Sequence, residues 1–371
     1  MSLFGNIFRK KEEPVRSYVD FWNWFSGNAA KFYAVVKNHN NIEHDFFDKL
    51  GPKLDELKDG FWYLTGMQND DTAELIITAD GAVKNFVFVE ELIEAAPPIK
   101  NWKFTALKPA LTNSNITMSD HVFGKDTLYF YENDNPGYPD EIDITITYDK
   151  LTQENRKDVV TGVYIFLDNY LGELNFALNV DVLEIIGKNE AAKELIPVGK
   201  LKDYLAWRQK EFVEKYESVR HSTAEDEYSI METKLESGRM LIGTINTGLL
   251  QWDQKASHPW ILTVTIPYNG DGNNGMPDDT TYKGLNEIFD LILDDLKDVD
   301  GYLNIGRETG NGEMEIYYAC KDFRKPSKTI YRIQQERRGQ YNISYKFYKD
   351  KYWRSFDRLN PMSPENIAAN M

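Results

Sequence analysis

From Trp260 to Trp353 the spacing of apolar residues changes from two to three-and-four and back again. The changes spell strand, helix, strand, strand, helix, strand. In WILTVTIP, Trp260, Leu262, Val264 and Ile266 point one way and Ile261, Thr263 and Thr265 the other, as a half-buried strand requires. Pro267 and the stretch 269–277 (NGDGNNGMP) end it. Leu285, Ile288, Phe289, Ile292, Leu296 and Val299 then recur at helical spacing, behind Asp278 and Asp279 at the favoured negative start. YLNIG (302–306) and EMEIYYAC (313–320) flank a Thr-Gly-Asn-Gly hairpin tip, and Met314, Ile316, Tyr318 and Cys320 share one face. A shorter helix, about Ser327 to Arg338, turns Ile330 and Ile333 inward and stops at Gly339. NISYKFY (342–348) closes the pattern with Ile343, Tyr345 and Phe347 on one side. The β-α-β-β-α-β order predicts a ferredoxin-like sandwich. That scaffold hosts many functions and fixes none.

The rest of the chain mixes both periods. Residues 17–36 place Tyr18, Phe21, Trp22, Phe25, Phe32 and Val36 on one helical stripe. A second helix runs from about Ile42 to Leu57, with Gly51-Pro52 positioned to break it. Residues 60–67 and 73–80 form a hairpin, 82–96 a helix ended by Pro97-Pro98, and 102–109 a strand. Strands at 126–133 and 141–149 precede a helix at 154–172 stopped by Gly172, and 174–186 alternates as a strand. From Lys188 to about His221 a charged helical stretch carries Leu201, Tyr204, Leu205, Phe212 and Tyr216. A hairpin through Ser237-Gly238 adds strands to the C-terminal sheet. The expectation is an α+β chain with two α/β-sandwich domains. Its parts are a disordered tail (1–15), an N-terminal domain (16–187), a helical linker (188–225), a C-terminal ferredoxin-like domain with extra N-terminal strands (226–358) and a tail (359–371).

The stretch 228–356 resembles a bacterial family named domain of unknown function 695. The features that match are the strand WILTVTIPYN, the loop GMP (275–277) before an acidic helix, and the hairpin IGRETGNGEMEIYYAC. The resemblance implies a small α+β domain and no established activity. Some members are joined to a domain like the protein inhibitors of ribonuclease E, and no such domain is legible here. The N-terminal domain shares no part of the resemblance.

Composition narrows the class. A chain of 371 residues with 42% hydrophobic and 13% aromatic content predicts a globular protein of two or three domains. No stretch of eighteen apolar residues is present. Cys320, the single cysteine, excludes a disulfide framework and fits a reducing compartment such as the cytoplasm. The N-terminus is not a secretory signal, because its positive residues follow the apolar ones. Leu3, Phe4, Ile7 and Phe8 offer one face for a transient membrane contact, and a disordered tail is the expected state. A net charge of −16 argues against wrapping nucleic acid. Between Cys320 and Asn360, however, twelve Lys or Arg stand against Asp322, Glu336, Asp350 and Asp357, a local +8 that leaves −24 elsewhere.

Catalytic signatures are missing. His39, His44, His121, His221 and His258 show no zinc-ligand spacing. The loop 269–279 has Asn274 and Thr280 where a calcium loop needs Gly and Glu. Glu287, Asp290, Asp294 and Asp298 read as the wet side of a helix. Ser257 and His258 are neighbours without a triad pattern, and neither G-x-S-x-G nor a phosphate-binding loop occurs. No catalytic residue, metal or cofactor is expected. The positive signal is a basic, aromatic C-terminal segment. Tyr302, Tyr317 and Tyr348 are expected to face away from the helices, near Arg324, Lys325, Arg332, Arg337, Arg338 and Lys346. Such a surface holds single-stranded RNA by stacking and phosphate contacts. Glu313 and Glu315 oppose phosphate, so an acidic protein partner or the chain's own −24 portion ranks ahead. The chain therefore reads as a non-catalytic binding or regulatory module. The alternatives are an RNA-binding or ribonuclease-regulating protein and a hydrolase with carboxylates in an interdomain cleft.

Overall fold

The computed structural model describes residues 14–111 and 115–360. Residues 1–13 of the expected disordered tail, with Leu3, Phe4, Ile7 and Phe8, lie outside the described residues, as does 361–371 of the second tail; Val15, expected in the first tail, is instead buried, and its N–H bonds Glu56 at 2.6 Å. The chain mixes helices and strands and divides into two compact units, Met1–Asn113 with Leu167–Asn175, and Ser114–Phe166 with Phe176–Met371.

The first unit opens with α1 (Tyr18–Asn38), capped by Ser17, whose hydroxyl accepts the Asp20 N–H. The predicted stripe is buried at Phe21, Trp22, Phe25, Phe32 and Val36. α2 (Asp48–Leu57) follows a five-residue π turn, Glu43–Phe47. Pro52 was expected to break this helix and instead lies inside it. The wider turn just before it loosens the hydrogen-bond ladder where the proline ring needs room. β1 (Trp62–Asn69), β2 (Thr72–Thr78), α3 (Val83–Glu94) and β3 (Trp102–Ala106) build a three-stranded sheet of order β1-β2-β3, with β3 parallel to β2 across α3. The Trp22 and Trp102 indoles donate to the carbonyls of Leu92 and Ala29, tying α1 to this layer.

Next in chain order come β4 (Ile116–Met118), β5 (His121–Phe123), β6 (Leu128–Glu132), β7 (Asp143–Tyr148), α4 (Arg156–Leu171), α5 (Glu173–Asn179), β8 (Val182–Gly187), β9 (Ile196–Pro197) and α6 (Leu201–Tyr216). β8-β7-β6-β9 form one sheet, with β7 and β8 parallel. The expected strand 174–186 is a helix followed by a strand. Glu173 decides its first half: this buried carboxylate accepts the N–H groups of Ala79, Gly81 and Lys108 and the Thr78 hydroxyl. Those contacts override the local alternation. The expected 188–221 helix is likewise shortened at its start, where Ile196-Pro197 pairs with β6.

The C-terminal part holds β10 (Tyr228–Lys234), β11 (Met240–Asn246), α7 (Thr247–Leu250), β12 (Trp260–Pro267), α8 (Asp279–Asp295), β13 (Tyr302–Gly310), β14 (Glu313–Cys320), α9 (Arg324–Glu336) and β15 (Ser344–Lys349). They form an antiparallel six-stranded sheet of order β10-β11-β13-β14-β12-β15. Trp260, Leu262, Val264 and Ile266 pair with Cys320, Tyr318, Ile316 and Met314. All eight are buried, and Trp260 meets Phe323 at the start of α9. That face carries α8 and α9, whose Leu285, Ile288, Ile292, Ile330 and Ile333 are buried on it. The apolar spacing puts Val299 on the α8 stripe, but the helix ends at Asp295 and Val299 is exposed.

Candidate interaction surface

The sheet face away from α8 and α9 is closed by the chain itself. Ile261, Leu303, Ile305, Tyr317 and Ala319 pack under Leu249 and Leu250 of α7 and under Trp353, Phe356 and Leu359. Tyr317 is 3% exposed, with the Phe356 ring 5.3 Å away edge-on. Its hydroxyl lies 2.6 Å from Glu308 and 2.7 Å from Glu315. Arg358 grips Glu308 with both terminal nitrogens, at 2.8 and 2.5 Å. Burial raises the Tyr317 hydroxyl far above its ordinary range, and the neighbouring Glu308 charge adds to it. Tyr348 lies half-buried against the same cluster, its hydroxyl donating to Ser355.

Tyr302 is on the other face. An unbroken ladder from the hairpin tip, where Gly310 faces Glu313, would set Tyr302 opposite Lys321 and beside Tyr317. A one-residue bulge between Asn304 and Gly306 shifts the register, so Tyr302 faces Cys320 on the helix side. Gly306 sits at the bulge with φ 144°, where a Cβ would run into the Thr244 carbonyl of β11. The expected common tyrosine platform does not form, and its buried members are not available for stacking.

Most of the predicted basic residues are spent locally. Lys325 bonds Asp300 at 2.7 Å with its ammonium 5.4 Å over the Tyr302 ring. Arg332 bridges Asp295 and Glu336 at 2.8 Å each, Arg324 bonds Asp322 at 2.8 Å, and Arg337 lies 3.7 Å from Glu287. Arg338 and Lys346 are exposed and have no ion pair among the described residues. Further on, Lys349 and Lys351 converge on buried Asp181, which also accepts the Ile142 N–H at 2.7 Å. Lys351 donates to Asp181 and to the Asp140 carbonyl at 2.6 Å each, with the Phe212 ring 4.4 Å away. Burial raises the Asp181 carboxyl, but the two lysines outweigh it and hold it below the usual carboxylate range. The Asp140 carboxylate takes the hydroxyls of Tyr352 and Tyr216 at 2.7 Å and Lys215 at 2.8 Å. Arg354 bonds Glu141 at 2.6 Å.

A groove of about 380 Å³ opens beside this clasp, lined among others by Tyr138, Trp252, Lys255, Tyr352, Arg354 and Asp357. Burial lowers the Lys255 ammonium against the pull of Asp357 and Asp253. Near its inner wall Ser257 and His258 do form a pair, with Oγ 2.8 Å from Nδ1. The serine proton goes to the Gln254 carbonyl at 2.6 Å. In that arrangement the Ser257 oxygen is placed to accept a hydrogen from Nδ1, the tautomer that satisfies both groups. Cys320 is fully buried and its thiol is pushed well up by burial. Among the described residues no group of His, Cys, Asp or Glu could hold a metal, and no helix is long and apolar enough to cross a membrane. Sequence reasoning did not find Asp181 or Arg358, because each acts through partners far along the chain. For Arg358 the available signal was the surplus of positive charge beyond Cys320, and for Asp181 there was none.

Residues 233–359 match the model of a family of unknown function, DUF695. No curated protein and no solved structure matches the chain. The DUF695 stretch begins within β10 and ends at Leu359, the last residue of the segment that closes the sheet. It contains Glu308, Tyr317 and Arg358, so the closure is internal to the matched region. The clasp is different: Lys349, Lys351 and Arg354 lie in the matched stretch, whereas Asp140, Glu141 and Asp181 lie before it. The basic segment thus binds the matched region to other residues of the same unit.

Proposed function

We propose that the chain is a non-catalytic binding or regulatory protein with a ferredoxin-like C-terminal domain. The strand order β13-β14-β12-β15, with α8 and α9 as the two crossovers, supports the ferredoxin-like reading. A lone, buried thiol suits a reducing compartment, and we place the protein in the cytoplasm on that ground. One observation carries the functional reading. Where charged groups converge in the interior, they saturate one another, as Asp181 does with Lys349 and Lys351, and Glu308 with Arg358. An acid–base catalyst needs a group free to exchange its proton with a substrate, and these groups are committed to structure. RNA recognition loses support for a related reason: Tyr317 is covered and Tyr302 is turned to the helices. A panel of phosphatase, phosphodiesterase, peptidase and glycosidase substrates tests the proposal. The expected rates match buffer alone. Turnover removed by a single substitution of Lys255, Asp357 or His258 would overturn it.

A further inference from the structure

We infer that the outer edge of β10 pairs with β10 of a second copy of this chain. This deepens the binding-module reading by naming a partner, and it rests on that reading. β10 is the outermost strand of the six, paired along its whole length to β11 and, among the described residues, to nothing on its other side. The Leu235 N–H bonds the Arg239 carbonyl at 2.9 Å, which sets the parity of the ladder. Odd-numbered residues bond inward to β11, and Tyr228, Ile230, Glu232 and Lys234 turn their N–H and C=O groups outward. Ile230 is 74% and Tyr228 51% exposed. An open edge of this kind is a template for another strand unless something blunts it.

Charge selects the occupant. Glu232 and Lys234 are the charged residues of β10, two positions apart, and neither has an ion pair among the described residues. A two-fold antiparallel pairing centred on Thr233 sets Glu232 opposite Lys234 of the second copy, and repeats that pair on the other side of the axis. In this register the two β10 strands overlap over residues 232–234, before the hairpin turn that begins at Leu235. Of the registers centred on Glu232, Thr233 and Lys234, the one on Thr233 brings opposite charges together and the other two bring like charges together. A ladder this short gives a weak, concentration-dependent dimer, below the size of a standard interface.

Sedimentation velocity on the full chain, from roughly 1 to 300 μM, tests this. The wild type is expected to dimerise across that range. Glu232→Lys and Lys234→Glu each place like charges across the axis and are expected to weaken dimerisation about tenfold. The double swap, Glu232→Lys with Lys234→Glu, restores the pairs and is expected to restore the dimer. Unchanged circular dichroism and melting temperature show that the variants fold. A wild type that stays monomeric overturns the inference, whether or not an extended peptide then binds the edge. A double swap as weak as the single variants overturns it as well. Association and turnover are separate readouts, so this inference and the non-catalytic reading can fail independently.

Discussion

His258 is fully buried, and its Nε2 has no hydrogen-bond partner among the described residues. The Trp252 ring lies 5.5 Å away, and the Trp353 indole donates to the His258 carbonyl. Burial lowers the imidazole pKa to about 3 from an ordinary 6.5, and the nearby cations Lys321, His221 and Arg220 add to the fall. The unfolded chain therefore takes up a proton through a range where the folded chain does not. Stability from this residue is complete above pH 6.5 and is lost progressively as the pH falls from there toward 3. Urea unfolding at pH 7 and pH 5 is expected to show a loss of about 2 kcal/mol that is absent in His258→Leu. Equal pH dependence of the two proteins would rule this account out. A different balance holds at Glu308, which sits directly across the ladder from Glu315. Two carboxylates in that position repel, and Arg358 and the Tyr317 hydroxyl offset the repulsion. Arg358→Ala is expected to cost about 2 kcal/mol, less than a fully buried pair because the arginine side chain is half-exposed. Thermal unfolding of Arg358→Ala beside Arg358→Lys measures it, since lysine keeps the charge and loses the two-pronged grip.

At the scale of elements, the clasp of Lys349 and Lys351 on Asp181 joins the end of β15 to the segment between α5 and β8. Asp181→Asn leaves two buried lysines without their counter-charge and is expected to destabilise the fold by about 3–5 kcal/mol. Replacing Asp181, Lys349 and Lys351 together by apolar residues of similar volume is expected to recover most of that loss, because the desolvation cost disappears with the charges. Equal melting temperatures for the single and triple variants would refute the assignment. The elements themselves were largely legible, because β12, α8, β14 and α9 each bury one face and repeat at one period. What was not legible depends on register or on distant partners. One extra residue between Asn304 and Gly306 moves Tyr302 to the opposite face, and the one mark of it in YLNIG is Gly306, which reads equally as the approach to the hairpin. The alternation of 174–186 was genuine, but Glu173 and its backbone donors hold the first half as a helix. Lys349 and Lys351 were visible as charges, whereas Asp181, well over a hundred residues earlier, carried no mark of being their partner.

Over the whole molecule, a net charge of −16 coexists with the +8 segment beyond Cys320. Read as a sequence, that contrast offered two outcomes: a basic surface for an anionic partner, or a basic segment consumed by the chain's own carboxylates. The structure supports consumption for eight of the twelve, since Arg324, Lys325, Arg332, Arg337, Lys349, Lys351, Arg354 and Arg358 each face a carboxylate. Polyanion binding draws its free energy from counterions released by unpaired cations, and cations already paired have few to release. A fluorescent oligouridylate is therefore expected to bind no more strongly at low salt than at physiological salt. Arg338 and Lys346 remain exposed, with Arg337 loosely held by Glu287, so the sharpest form of the test is Arg337→Glu with Arg338→Glu. Two substitutions of this kind are expected to leave the anisotropy titration unchanged. A steep loss of affinity with salt, removed by those two changes, would show that the few open cations suffice and would return the RNA-binding reading to first place.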